Sequence, residues 1–312
     1  MDSDVLLDCL RRNDNVRNTF LELESRSIGI GDFCFVGINY CSADYLLGVE
    51  KAADKVRELS FRYANADGSS LPLKVYSPEE GYILKDTRAY DLGNVCASSL
   101  EELEGKLSKL IFQTGCIPVF VGSDHSVTYK LAKRMAVDNE EFVVLQFDAH
   151  SDFIDEYEDY PHGSVMNETC KIPQVSKIIH FGIRGNLNCE PAIELSRKKG
   201  NMVIPYVEID KRFTNLLEYL KDKKVYITFD TDFLNPIYAP ATNCPEPGGP
   251  SYEDTLKYLK EIIKSCDEII GMDFVEYNPT CEGAVLTGTT IVNLVMETMG
   301  YVTIKKKCYL TT

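Results

Sequence analysis

The amino-acid sequence predicts an α/β fold, a three-layer doubly wound sheet whose strands are mostly parallel, and two observations carry that expectation. Short apolar runs alternate without a break with longer stretches of helical period, and several runs are apolar on both faces, as strands covered by helices above and below require. No Pro/Gly/Ser-rich linker, internal repeat or low-complexity tract interrupts the alternation, so a single domain is expected over residues 1–312.

The first strand is expected at residues 33–38, from Phe33-Cys34-Phe35-Val36-Gly37-Ile38, and the amphipathic stretch 43–63 follows it as a helix. A strand at 88–92 leads into a helix at 100–114, opened by the capping box Ser99-Leu100-Glu101-Glu102 and stopped by Gly115. The apolar run 117–121 is a strand, 127–137 a helix, and 142–147 a strand apolar on both faces. Further strands are expected at 177–182 and 202–207, a helix at 213–222 and a strand at 225–229. Ser251-Tyr252-Glu253-Asp254 caps a helix at 252–266; a strand at 269–274 and a helix at 288–299 complete the series. In such sheets ligands bind beyond the carboxyl ends of the strands, so residues that leave a strand at that end are the ones to inspect.

Composition narrows the function. Hydrophobic content of 44% and charged content of 26% are ordinary for a chain that buries a large core. No apolar run is long enough to span a bilayer and Met1-Asp2-Ser3-Asp4 lacks a basic leader start, so a cytoplasmic protein is expected. The 11 cysteines are odd in number, scattered and free of CxxC pairs, which reads as reduced thiols rather than a disulfide framework or zinc cluster. A net charge of -15 argues against nucleic-acid and anionic-membrane partners and is compatible with a cationic substrate or metal ions.

The chemistry concentrates where strands end. Phe147-Asp148-Ala149-His150-Ser151-Asp152 follows the 142–147 run, and alternate side chains of an extended backbone point the same way, so Asp148, His150 and Asp152 are expected to converge. Asp230-Thr231-Asp232 repeats the arrangement after the 225–229 run, and His125 lies in Gly122-Ser123-Asp124-His125-Ser126 just after 117–121. Carboxylates gathered at strand ends need cations to pair them. Two imidazoles among four carboxylates suit Mn²⁺, Fe²⁺ or a similar ion, and are too many donors for one ion that keeps a water. They fit two ions about 3.5–4 Å apart that activate a shared water. His180, inside an apolar strand, reads instead as a satisfied core histidine, and Asp124 as a residue that orients His125.

These stretches resemble, in order, the three signature motifs of the ureohydrolases, the family of arginase, agmatinase, guanidinobutyrase and formiminoglutamase. Phe181-Gly182-Ile183-Arg184-Gly185, Pro245-Glu246-Pro247-Gly248-Gly249 and Gly271-Met272-Asp273-Phe274-Val275-Glu276 are similar to it as well, so the likeness runs from about Phe33 to Gly300. The resemblance implies an arginase-like sheet carrying two Mn²⁺ ions, one held by His125, Asp148, Asp152 and Asp230 and the other by Asp148, His150, Asp230 and Asp232. It implies that Asp148, Asp230 and a hydroxide bridge the ions. It further implies that Glu276 binds the guanidinium, that Asp152 accepts a hydrogen bond from the nucleophile, and that His162, on a flexible loop, transfers a proton to the leaving amine. A homo-oligomer, trimer or hexamer, follows from the same likeness.

Within the family the loops lean toward agmatinase, which cleaves agmatine to putrescine and urea. The segment from Asp152 to Gly163 resembles agmatinases, and its Asp155, Glu156, Glu158 and Asp159 would attract a cationic amine at the mouth. The stretch from Ala239 to Gly249 is close to the agmatinase version too. Alternatives that keep the same motifs are a sister enzyme acting on guanidinobutyrate, guanidine, arginine or formiminoglutamate, and a catalytically silent metal-binding homologue. Ser123 stands where the family has glycine, and Asn235 where it has an aspartate that is not a metal ligand.

Overall fold

The structure is a computed structural model that describes residues 19–22, 33–63, 75–78, 81–84, 87–110, 112, 116–156, 158–159 and 161–310. Its centre is an eight-stranded sheet built from β1 (Phe33–Asn39), β4 (Ala89–Cys96), β5 (Ile117–Val121), β6 (Phe142–Phe147), β7 (Val175–Ile183), β8 (Met202–Pro205), β9 (Lys224–Asp230) and β10 (Glu268–Val275). The order is β4-β1-β5-β10-β9-β6-β7-β8, and every pairing is parallel. Two short strands, β2 (Tyr76–Ser77) and β3 (Gly81–Tyr82), form a separate antiparallel hairpin.

Alternation along the strands divides the core in two. Val143, Leu145 and Phe147 of β6, with Ile179, Phe181, Val225, Ile227 and Phe229, pack against α1 (Ala52–Ser60), α6 (Ile209–Leu220), α7 (Tyr252–Ser265) and α8 (Ala284–Leu310). The opposite face, carrying Val36, Phe120, Val144, Ile178 and Tyr226, packs against α2 (Leu100–Leu107), α3 (Thr128–Ala136), α4 (Pro161–Thr169) and α5 (Glu190–Lys198). Helices on both faces of a fully parallel sheet make the expected three layers.

Several element bounds differ from expectation for identifiable reasons. The stretch 43–63 is not one helix: 3-10 turns at Asp44–Leu46 and Val49–Lys51 precede α1, because Gly48 turns the chain at φ 119. A side chain there would also strike Asn278. The helix after the Ser99 cap ends at Leu107, and Gly115, its expected stop, lies outside the described residues. The caps themselves form as expected, Ser99 accepting from the Glu102 N–H and Ser251 from the Asp254 N–H. β8 stops at Pro205, and the following 3-10 turn starts α6 four residues early, at Ile209. The last helix runs 27 residues, far beyond 288–299.

No helix among the described residues is long and apolar enough to cross a membrane. The first residues of the chain, on which the leaderless expectation rests, lie outside them.

Candidate metal centre

Three strands release the candidate ligands at the same end of the sheet, each by the same local device. Asp124, Asp148 and Asp230 leave β5, β6 and β9, and each turns one carboxylate oxygen back onto an N–H two residues ahead. Asp124 Oδ1 accepts from Ser126 N at 3.0 Å, Asp148 Oδ1 from His150 N at 2.6 Å, and Asp230 Oδ1 from Asp232 N at 2.8 Å. Such turns close the backbone locally and leave the second oxygen for other work. Asp232 Oδ1 then accepts from Ala149 N at 3.0 Å, tying the β6 and β9 turns together.

The turns bring all six expected ligands into two groups that share Asp148. Donor atoms of His125, Asp148, Asp152 and Asp230 lie within 4.8 Å of one another, as do those of Asp148, His150 and Asp232. The side chains after β6 therefore do not meet at one point. The turn sends Asp148 and Asp152 to the first group and His150 to the second, with Asp152 held at φ 46. Asp230 falls with the first group, and its other oxygen accepts from Asp232 N just as Asp148 Oδ1 accepts from His150 N, which leaves each of those oxygens a second lone pair.

The tautomer of His125 follows from its surroundings. Thr228 Oγ1 donates to Asp273 Oδ1 at 2.6 Å, so it accepts from His125 Nε2 at 2.9 Å. Asp273, fully buried, is held by the Tyr226 hydroxyl as well. Nδ1 is thereby turned toward oxygens of Asp152, Asp148 and Asp230 at 2.9, 3.1 and 3.2 Å, yet makes no hydrogen bond. Three carboxylates around one buried nitrogen are tolerable only with positive charge among them, a proton on Nδ1 or a cation in its place.

The electrostatics point the same way. Burial, with Asp152 and Asp232 beside it, pushes Asp148 up to about 7, and burial with Asp232 and Asp148 raises Asp230 well above the carboxylate range. Burial alone would lower both imidazoles, but the carboxylates hold His125 well above its ordinary value and His150 up to about 11. The cluster thus draws positive charge, and its donor set fits a pair of divalent ions of the oxygen- and imidazole-preferring kind.

A cavity of about 170 Å³ opens on this floor, large enough for a small molecule and too small for a polymer. Asp152, Asp230, Asp232 and His150 line it together with Glu276 and His162. Glu276 follows β10 at φ 62 and accepts from His125 N at 2.8 Å; burial and the charge of Asp124 raise its pKa. His162 sits in the first turn of α4 rather than on the expected loop, with its Nε2 3.3 Å from the Tyr45 hydroxyl, and burial lowers its pKa. Leu46, Ser151, Ile154, Gly163, Leu187, Asn188, Cys189 and Cys244 form the rest of the wall, and no lysine or arginine is among the described residues that line it.

The remaining expectations resolve individually. Asp124 caps the turn carrying His125 and accepts from Ser42 N, whereas the imidazole itself is held by Thr228, which Asp273 holds in turn; sequence reading missed both. His180 is buried with both ring nitrogens bonded, as expected. Asn235 accepts from Ile237 N at 3.0 Å, a cap that an amide oxygen makes as well as a carboxylate. Ser123 occupies a left-handed conformation at φ 76, which explains why glycine suits the position, and its hydroxyl donates to Tyr40 O. Asn188, also missed, lines the cavity with its amide committed to Ala149 O, Arg184 O and Ser151 N, so it braces the β6 turn.

A family model described as the arginase family matches residues 31–300. The agmatinase of Halalkalibacterium halodurans is 29% identical over 219 residues, which cover 68% of this chain and 74% of that protein. Among solved structures, proclavaminate amidino hydrolase from Streptomyces clavuligerus aligns at a TM-score of 0.79 and 20% identity over 92% of this chain and 97% of that one. Formiminoglutamase of Trypanosoma cruzi, solved with Mn2+2, aligns at 0.77 and 18% identity over 91% and 98%. At those identities the structural likeness speaks for the fold alone.

Proposed function

The chain belongs to the arginase family, and from that premise we propose that it is an agmatinase-type hydrolase that cleaves agmatine to putrescine and urea with two manganese ions. The observation that carries this reading is a pair of ligand groups joined through Asp148 on the floor of a cavity that also contains Glu276. His125, Asp148, Asp152 and Asp230 would hold one ion, and Asp148, His150, Asp230 and Asp232 the other. When bound, two such ions lower the pKa of a shared water and supply a nucleophile near neutral pH.

The chain's own groups do the rest. Glu276 holds the planar guanidinium through charge-assisted hydrogen bonds and turns its central carbon toward the floor. Asp152 accepts a hydrogen bond from the attacking water and so fixes its approach. His162, within the same cavity and neutral at rest, would take up the proton that the attacking water gives off and pass it to the departing amine as the C–N bond breaks. The absence of lysine and arginine among the described wall residues supports a tail that is not a carboxylate, and the exposed Asp155, Glu156, Glu158 and Asp159 follow Ile154 of that wall in sequence. We further read residues 1–312 as one domain of a cytoplasmic homo-oligomer.

Urea release from a panel of guanidino compounds with Mn²⁺ present tests the reading. Agmatine is expected to be turned over best. Preference for guanidinobutyrate, arginine or formiminoglutamate would replace it with a sister activity, and no urea from any compound despite two bound ions would sink it.

A further inference from the structure

Beneath the floor, on the sheet face covered by α5, a hydrogen-bonded chain links that helix to Asp148 without entering the cavity. Gln146 on β6 and His180 on β7 are register partners in adjacent parallel strands, and they and Ser196 of α5 are fully buried. Gln146 Nε2 lies 2.6 Å from Asp148 Oδ2 and 3.2 Å from the carbonyl oxygen of His150. Both are acceptors, so the amide nitrogen faces them and Gln146 Oε1 is left to His180 Nδ1, 2.5 Å away. Nδ1 therefore carries a proton. Burial keeps the ring neutral by pulling its pKa down to about 3, so Nε2 is a lone pair, and the Ser196 hydroxyl at 2.7 Å donates to it. Reversing any one link would set two donors or two lone pairs face to face.

The consequence falls on Asp148. One of its oxygens is fixed by His150 N and the other by Gln146, so the plane of the carboxylate common to both ligand groups is set by two donors. The neighbours on this face include apolar Val144 and Ile178 as well as Thr228, the register partner of Gln146 on β9, which is committed to Asp273 and His125; an apolar side chain at 146 would therefore fill the space without replacing the donor to Asp148.

We propose that Gln146 is a positioning residue for Asp148, locked in orientation by His180 and Ser196, and that this buried chain strengthens the site's hold on its cations. The proposal rests on the reading of Asp148 as the shared ligand. Manganese alone, titrated calorimetrically into the metal-free full-length protein, reads it directly. Gln146→Leu is expected to bind Mn²⁺ roughly 10–100-fold more weakly, and Gln146→Glu, which turns an acceptor toward Asp148, at least as badly. Nitrogen-detected NMR of the imidazoles, simple in a chain with 4 histidines, should show His180 as the Nδ1–H tautomer in wild type and a mixture in Ser196→Ala. An Nε2–H tautomer in wild type, or folded Gln146→Leu binding Mn²⁺ within about twofold of wild type, would overturn it. Should Gln146→Leu fail to fold, the wild-type tautomer and the Ser196→Ala mixture decide. Wild type that binds two ions but releases no urea would remove the proposed reaction and leave this chain standing.

Discussion

On the floor of the cavity, Asp148 and Asp230 each spend one oxygen on their own turn, Asp148 is braced from below by Gln146, and His125 is oriented by Thr228 and Asp273. At the mouth, Leu46, Ile154 and Leu187 come from loops and 3-10 turns, and Leu187 is 67% exposed. The floor is therefore fixed by strand ends and by buried hydrogen bonds, whereas the mouth is set by contacts that a single substitution can redraw. On the proposed reading, chemistry resides in the first and substrate choice in the second.

The largest effect should follow from breaking the floor. Asp148→Ala is expected to lose both ions by metal analysis and to reduce urea release by at least about 10³-fold; two retained ions with normal turnover would dissolve the shared-ligand assignment. Glu276→Gln keeps an acceptor for His125 N and should keep both ions, while kcat/KM falls on the order of 10²-fold. Loss of metal in that variant would make Glu276 a support of the floor rather than a substrate contact.

A third expectation concerns acid stability. His180 stays neutral in the folded protein down to about pH 3, while an unfolded imidazole takes its proton near its ordinary value of about 6.5. Unfolding binds that proton between the two values, so the stability it contributes is complete above the upper one and declines as pH falls, by about 1.4 kcal/mol per pH unit. Denaturant melts of metal-free wild type and His180→Phe should differ by that slope; parallel pH profiles would show that the ring titrates normally in the fold.

At the mouth, Leu187→Arg should shift preference toward a carboxylated guanidino compound by roughly tenfold while leaving ion binding intact. An unchanged ranking of substrates would place the tail elsewhere. The smallest effect is expected for Ser123→Gly, where relief at φ 76 offsets the lost bond to Tyr40 O, leaving thermal stability within about 1 kcal/mol of wild type.

The same division explains what the sequence disclosed. Strands β6, β9 and β10 were legible because both faces are apolar, and the candidate ligands because they follow those runs directly. Helix α4 was missed because His162, Gly163, Ser164, Val165, Met166 and Asn167 are all buried, so no amphipathic period marks it. Helix α5 carried a usable signal, Pro191 at its first turn, that went unused. Gln146 is oriented by His180 and Asp273 acts through Thr228, each on another strand distant in sequence, and no local pattern announces such partners.

One property of the sheet reaches beyond the finished molecule. β10 is the last strand in the chain yet lies between β5 and β9. While the polypeptide leaves the ribosome, His125 and the Asp230 turn cannot take their final separation until that strand has slid between theirs. A nascent chain thus has no complete ion-binding constellation before residues beyond Glu276 clear the exit tunnel, and products truncated ahead of that point stay unable to capture both ions.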